Sequence, residues 1–148
     1  MLQAATTEPY FSFTAKVSFE GAKQYDQAGL IMHLSGDTWF KASMECENDE
    51  IKHLGSVVTN HGYSDWATTA VPASITTVWY RMTRKKGDFL LECSMDGKTW
   101  NLLRMFHMWQ CDGEISYGVY ACSPGDSRFT ATFTDLDFQI KTAADMTM

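Results

Sequence analysis

The strongest constraint on this chain is a period-two alternation of apolar and polar residues that recurs from one end to the other, broken at intervals by turn-forming residues. Successive side chains of a strand leave on opposite faces, so such alternation marks strands with one face buried and one wet. The clearest case is Trp39 to Glu47: Phe40, Ala42, Met44 and Cys46 face one way, and Trp39, Lys41, Ser43, Glu45 and Glu47 face the other. Near the start, Phe11, Phe13, Ala15, Val17 and Phe19 alternate with Ser12, Thr14, Lys16 and Ser18 up to Glu20-Gly21. Further strands are read at Ala28 to Leu34, Ile51 to Thr59, Val78 to Lys85, Phe89 to Met95, Glu114 to Cys122 and Phe129 to Ile140.

The breaks supply what tight turns need. Ser35-Gly36-Asp37, Lys86-Gly87-Asp88, Asp96-Gly97, Asp112-Gly113 and Pro124-Gly125 combine Gly, Pro and Asp, which give positive φ, a fixed φ and local side-chain bonds. Trp100 to Trp109 also fits a helical stripe through Leu102, Leu103 and Phe106; because it follows a turn and reads Trp100, Leu102, Arg104, Phe106 at period two, it is taken as a strand. Many strands joined by short turns make a sandwich or barrel, and the expectation is an all-β, antiparallel sandwich of two sheets. Its predicted core contains Phe13, Val17, Leu30, Phe40, Ala42, Met44, Val119, Ala121 and Phe133.

A chain of 148 residues fits one domain, expected over 9–141, with residues 1–8 a disordered or strand lead-in and residues 142–148 a tail frayed from Ala143 onward. With 14% aromatic residues it has rings for a core and to spare. The formal net charge of -6 opposes a phosphate backbone, and the longest basic run is Arg84-Lys85-Lys86, so nucleic acid is a poor partner. No apolar run approaches membrane-spanning length, and Met1 to Pro9 has no basic or apolar leader region. Cys46, Cys93, Cys111 and Cys122 form no Cys-x-x-Cys pair, and none of Asn48, Asn60 and Asn101 starts a glycosylation sequon. Free thiols in a reducing cytoplasm are the simplest reading.

No Gly-rich phosphate loop or Gly-x-Ser-x-Gly elbow is present, and His33, His53, His61 and His107 are scattered without metal-ligand spacing, so no cofactor, metal or catalytic residue is assigned. The polar face of Trp39 to Glu47 is the first candidate site. An indole offers a flat apolar platform while Lys41 and Glu45 offer a donor and an acceptor, the mixture a polyhydroxylated ligand requires; a solvated face with Lys41 or Arg81 paired to Glu45 accounts for everything but the Trp. Glu45 and Glu47, two apart on one strand, are the candidate hydrolytic pair, although a retaining glycosidase needs carboxylates facing across the bond. Ser64-Asp65-Trp66, read as a loop, gathers a hydroxyl, a carboxylate and an indole, and serves equally as a turn cap and end plug.

These segments resemble an uncharacterised concanavalin A-like lectin/glucanase-fold family, domain of unknown function 1349, which includes a fungal protein named as a regulator of enolase. The matching stretches include Tyr25-Asp26-Gln27-Ala28-Gly29-Leu30-Ile31, Trp39-Phe40-Lys41-Ala42 with Glu45, Ser56-Val57-Val58-Thr59-Asn60 with Ser64-Asp65-Trp66, Tyr80-Arg81-Met82, and Cys93-Ser94-Met95-Asp96-Gly97-Lys98-Thr99-Trp100. The order also holds through Gly118-Val119-Tyr120-Ala121-Cys122-Ser123-Pro124 and Phe133-Thr134-Asp135-Leu136. The resemblance implies a jelly roll with a concave sheet, and a candidate cleft of Asp26, Gln27, Lys41, Glu45, Ser64, Asp65, Trp66 and Arg81, beside Trp39. Similar proteins have an additional Trp-rich opening strand, so an uncovered sheet edge and a homodimer are expected. The leading functional expectation is a noncatalytic module for a carbohydrate or other small polar ligand. A glycan hydrolase using Glu45 with Glu47 or Asp65, and a protein-interaction or regulatory domain, stay open.

Overall fold

In the computed structural model, which describes residues 1–20, 22–125 and 127–146, eleven strands form two antiparallel sheets. They are β1 (Leu2–Thr6), β2 (Tyr10–Glu20), β3 (Gln27–Ser35), β4 (Thr38–Cys46), β5 (Ile51–Asn60), β6 (Tyr63–Pro72), β7 (Thr77–Lys85), β8 (Asp88–Ser94), β9 (Asn101–His107), β10 (Ile115–Cys122) and β11 (Thr130–Ile140). The only helical piece among the described residues is a 3₁₀ turn, Ala143–Asp145. One sheet has six strands in the order β1-β10-β3-β4-β5-β6, and the other has five in the order β11-β2-β7-β8-β9. The all-β antiparallel sandwich read from the alternation, and the jelly roll that the family resemblance implies, is the observed fold.

Each alternating segment became a strand because its apolar set fills the space between the sheets. Phe40 of β4 meets Phe89 of β8 and Phe106 of β9, both at 4.9 Å, and Phe11 and Phe13 of β2 meet Tyr117 of β10 at 5.4 and 5.0 Å. Such tilted and edge-on aromatic contacts join the two sheets face to face. Of the predicted core, Phe13, Val17, Leu30, Phe40, Ala42, Met44 and Val119 are buried. Phe133 is only half-buried, because β11 is an edge strand. Ala121 is exposed, since the β1 ladder on β10 reaches only Leu2↔Val119 and leaves the last three residues of β10 without a β1 partner.

β1 realises the strand alternative for the 1–8 lead-in, whereas β6 takes in Ser64-Asp65-Trp66 in place of the loop expected there. In β9 a register shift at Leu91/Glu92 turns the strand, so that Phe106 points into the core while Leu102 points out and is 64% exposed. The strand reading of Trp100 to Trp109 is right, but its single-faced alternation is not. The tail begins as an ordered turn at Ala143–Asp145; Thr147 and Met148, and Gly21 at the expected end of β2, lie outside the described residues. All four cysteines are free, Cys122 exposed and the other three buried. Among the described residues no helix is long and apolar enough to cross a membrane.

Candidate functional site

The polar face of β4 is the outer face of the six-stranded sheet, and antiparallel pairing sets residues from four other strands beside it. One row across the sheet reads Cys122, Gln27, Glu45, His53, Ala70; the next reads Tyr120, Gly29, Ser43, Gly55, Thr68; a third reads Gly118, Ile31, Lys41, Val57, Trp66. Together they form a hollow of about 220 Å³ walled by Gln27, Lys41, Glu45, His53 and Trp66. Gly55 belongs to its floor: a Cβ there would run into the Ala67 carbonyl oxygen of β6, so β5 and β6 close up only around a residue without a side chain.

Gln27, only 8% exposed, organises this surface. Its Nε2 donates to Glu45 Oε2 at 2.6 Å, while its Oε1 accepts from Lys41 Nζ at 2.9 Å and from the Tyr120 hydroxyl at 2.8 Å. The lysine and the carboxylate are therefore joined through an amide rather than by a direct ion pair. Lys41 Nζ also lies 5.5 Å from the Tyr120 ring centroid and 5.9 Å from that of Trp39, an ammonium held between two π faces. Burial pushes the Tyr120 phenol well above its usual range, against the pull of a Ser43 hydrogen bond, so it stays a neutral donor. An ammonium has three donors and a carboxylate about four acceptor positions, so Lys41 and Glu45 keep unused bonding capacity beside the hollow. Trp66, 64% exposed, supplies an open indole at its rim.

His53 was not singled out from sequence as a site residue. Its Nε2 lies 3.5 Å from Glu47 Oε2 and its buried Nδ1 has no hydrogen-bond partner. Its place opposite Glu45 depends on the β4–β5 register, which one sequence does not display.

Three expected cleft residues stand elsewhere. Asp26 is fully buried at the mouth of β3, where it accepts from the Lys23 backbone N–H at 2.8 Å and from the hydroxyls of Ser123 and Ser127 at 2.7 and 2.9 Å. Burial raises its pKa, but the Lys23, Ser123 and Ser127 donors outweigh this and hold the carboxyl below its usual value. Asp65 leaves β6 on the face opposite Trp66, and its carboxylate pairs with Arg104 of the other sheet at 3.2 Å. A one-residue offset in a strand reverses the face, so a carboxylate and an indole adjacent in sequence do not serve one hollow. The hydrolase alternative built on Glu45 with Asp65 has no geometric basis. Arg81 lies on β7 in the five-stranded sheet, paired with Glu92 at 3.0 Å and stacked 4.2 Å from the Trp100 ring centroid. A second hollow of about 370 Å³ surrounds it, but its polar groups bond one another, as Arg81 does Glu92, Gln139 does Asp137 and Lys141 does Gln139. Ser64 is on the same face as Trp66 and bonds Thr59, 2.8 Å between hydroxyls, at the rim. The structure thus gathers Gln27, Lys41, Glu45 and Trp66, with Trp39 against Lys41.

Comparison with known proteins agrees with the fold. "Regulation of enolase protein 1" of Saccharomyces cerevisiae is 35% identical over 126 residues, covering 84% of this chain and 62% of the relative, so the chain spans less than two thirds of that protein. A crystal structure of a functionally unknown protein from Saccharomyces cerevisiae superposes with a TM-score of 0.85 at 30% identity, over 96% of this chain and 75% of the other. The GH43 protein BlXynB from Bacillus licheniformis matches with a TM-score of 0.73 at 16% identity, over 90% of this chain but only 28% of its own, which is a likeness of fold. The family model described as "Protein of unknown function (DUF1349)" matches residues 1–141, and the chain belongs to that family.

Proposed function

We propose that this domain is a noncatalytic binding module that holds a small neutral polyhydroxylated ligand, such as one sugar unit, in the hollow between Lys41, Glu45 and Trp66. The observation that carries the reading is the Lys41–Gln27–Glu45 chain of hydrogen bonds beside an exposed indole. Gln27 fixes a donor and an acceptor at set positions, and pre-ordered polar groups cost less entropy on binding than free ones. Hydroxyls both donate and accept, which suits a cation and a carboxylate offered together, while the C–H face of a sugar ring suits an indole. One ammonium against one bridged carboxylate leaves this part of the hollow near neutral, which disfavours a polyanion. At about 220 Å³ the space is smaller than the roughly 300–1,000 Å³ of drug-sized sites, so one ring or a short polyol fits it. The free thiols fit a reducing compartment, and a cytoplasmic location belongs to the same proposal.

The name of the yeast relative favours a second reading, a regulatory domain that contacts a protein. A glycan array and a thermal-shift screen against simple sugars and polyols separate the two. For a sugar ligand, Trp66→Ala is expected to weaken binding by about 1–3 kcal/mol through loss of the stacked ring. Lys41→Ala is expected to weaken it as well. A ligand whose affinity is untouched by both substitutions places the site elsewhere.

A further inference from the structure

The sandwich has four edge strands, β1, β6, β9 and β11, and they are not equally protected against pairing. A bare edge presents unpaired backbone N–H and C=O groups, which proteins blunt by shortness, charge or bulges. β11 carries Asp135 and Asp137 and a register shift between Thr134 and Asp137, and the β8–β9 ladder is shifted at Leu91/Glu92. β1 has five residues, and its Leu2 carbonyl faces β10, where a Cβ on Gly118 would strike it. By the alternation of an antiparallel ladder, only Gln3 and Ala5 of β1 then turn their backbone groups outward.

β6 is the least blunted of the four, its single such device being the charge of Asp65. It runs ten residues, Tyr63–Pro72, without a register shift against β5, has no Lys or Arg, and keeps its one Pro at the last position. Its one charge, Asp65, is neutralised by Arg104. The Ala67 carbonyl faces β5 over Gly55, so the outward groups belong to Ser64, Trp66, Thr68 and Ala70, none of which is proline.

We infer that β6 is a self-association edge, on which a second copy of this chain adds its own β6 antiparallel about a two-fold axis normal to the sheet through Ala67. That axis sets Trp66 opposite Thr68 of the second copy and Ser64 opposite Ala70, each pair exchanging two N–H···O bonds, and it leaves Ala67 facing its own counterpart at a non-hydrogen-bonded position. Asp65 falls opposite Thr69, so like charges do not meet. The fit is isologous: the outward groups of β6 are the complement of those same groups after rotation. The dimer edge so inferred is not the amino-terminal edge expected from the sequence but the opposite side of the same sheet. The six-stranded sheets become continuous, with the two Trp66 indoles flanking the axis and the two hollows adjoining. The assembly needs no ligand, so it stands or falls separately from the binding proposal.

Sedimentation of the full chain across a concentration series is expected to show a monomer–dimer equilibrium, and hydrogen exchange of 63–72 is expected to slow as the dimer fills. Thr68→Pro removes an N–H that has no partner in the monomer, and is expected to weaken dimerisation by at least about tenfold, the equivalent of about 1.4 kcal/mol, while the dilute protein keeps its fold. The register is read by crosslinking in a Cys122→Ser background. Ala67→Cys is expected to oxidise to a covalent dimer, because non-hydrogen-bonded partners lie about 4.5 Å apart at Cα, within disulfide reach. Thr69→Cys, facing Asp65, is expected not to. A monomer at every concentration up to about 1 mM, above the usual range of specific self-association, overturns the inference; so does a dimer in which Ala67→Cys fails to crosslink or Thr69→Cys does so equally well.

Discussion

Asp26 and Gln27 are neighbours in sequence with unrelated tasks, because successive side chains of an extended chain leave on opposite faces. Gln27 bridges Lys41 and Glu45 on the outer face; Asp26 turns inward and ties the Lys23 turn to the Ser123 and Ser127 hydroxyls. Both were legible as polar positions where β3 begins, but their partners were not, since Tyr120 lies 93 residues from Gln27 and Ser127 lies 101 from Asp26. Asp26→Ala is expected to lose about 2–3 kcal/mol of stability at neutral pH, the scale of hydrogen bonds to a charged group. Because the folded-state pKa of Asp26 is depressed, its contribution is complete above the ordinary carboxylate pKa and is lost as pH falls through the lowered folded value. Urea titrations at neutral and strongly acidic pH should show the gap between parent and variant closing in acid. An equal gap at both would mean that ionisation of Asp26 contributes nothing.

Among the elements, β4 was readable and β6 was not, for the same physical reason. The inner residues of β4 meet the opposite sheet and so had to be apolar, whereas β6 overhangs as an edge with almost every residue exposed, and nothing obliged it to alternate. Arg84 shows the converse. In the Arg84-Lys85-Lys86 run it reads as one of three solvated cations, yet it is 1% exposed. Its guanidinium donates to the carbonyls of Glu8, Lys86, Cys111 and Gly113 at 2.7–3.1 Å, fastening β7 to the segment before β2 and to the loop after β9. Four acceptors around one planar donor set suit a guanidinium and not an ammonium. Arg84→Lys is expected to cost about 2–3 kcal/mol by leaving buried carbonyls unpaired, measured as a fall in chemical-denaturation midpoint with unchanged slope. A midpoint equal to that of the parent would show that the clamp is dispensable.

For the whole molecule, the two sheets are held by one apolar layer, and Phe40 stands in it with Phe89 and Phe106 of the facing sheet. Phe40→Asp buries a charge with no partner as well as removing the ring, and is expected to unfold the domain; Phe40→Leu, which keeps an apolar side chain, is expected to cost only about 1–3 kcal/mol. Far-ultraviolet circular dichroism and thermal melts check both, and a folded Phe40→Asp variant would show that the layer is not the main support. Outside β6 and the shifted part of β9, strand positions, turn positions and the buried face of each alternating strand were determined by the sequence alone, because alternation and turn chemistry act between residues a few positions apart. The tertiary structure alone decided which strands neighbour one another. That pairing brought His53 to the hollow and Tyr120 to Gln27, and sent Asp65 and Arg81 to other surfaces, because ladder register and sheet assignment depend on contacts between residues far apart in the chain, where a single sequence carries no local mark of its partner.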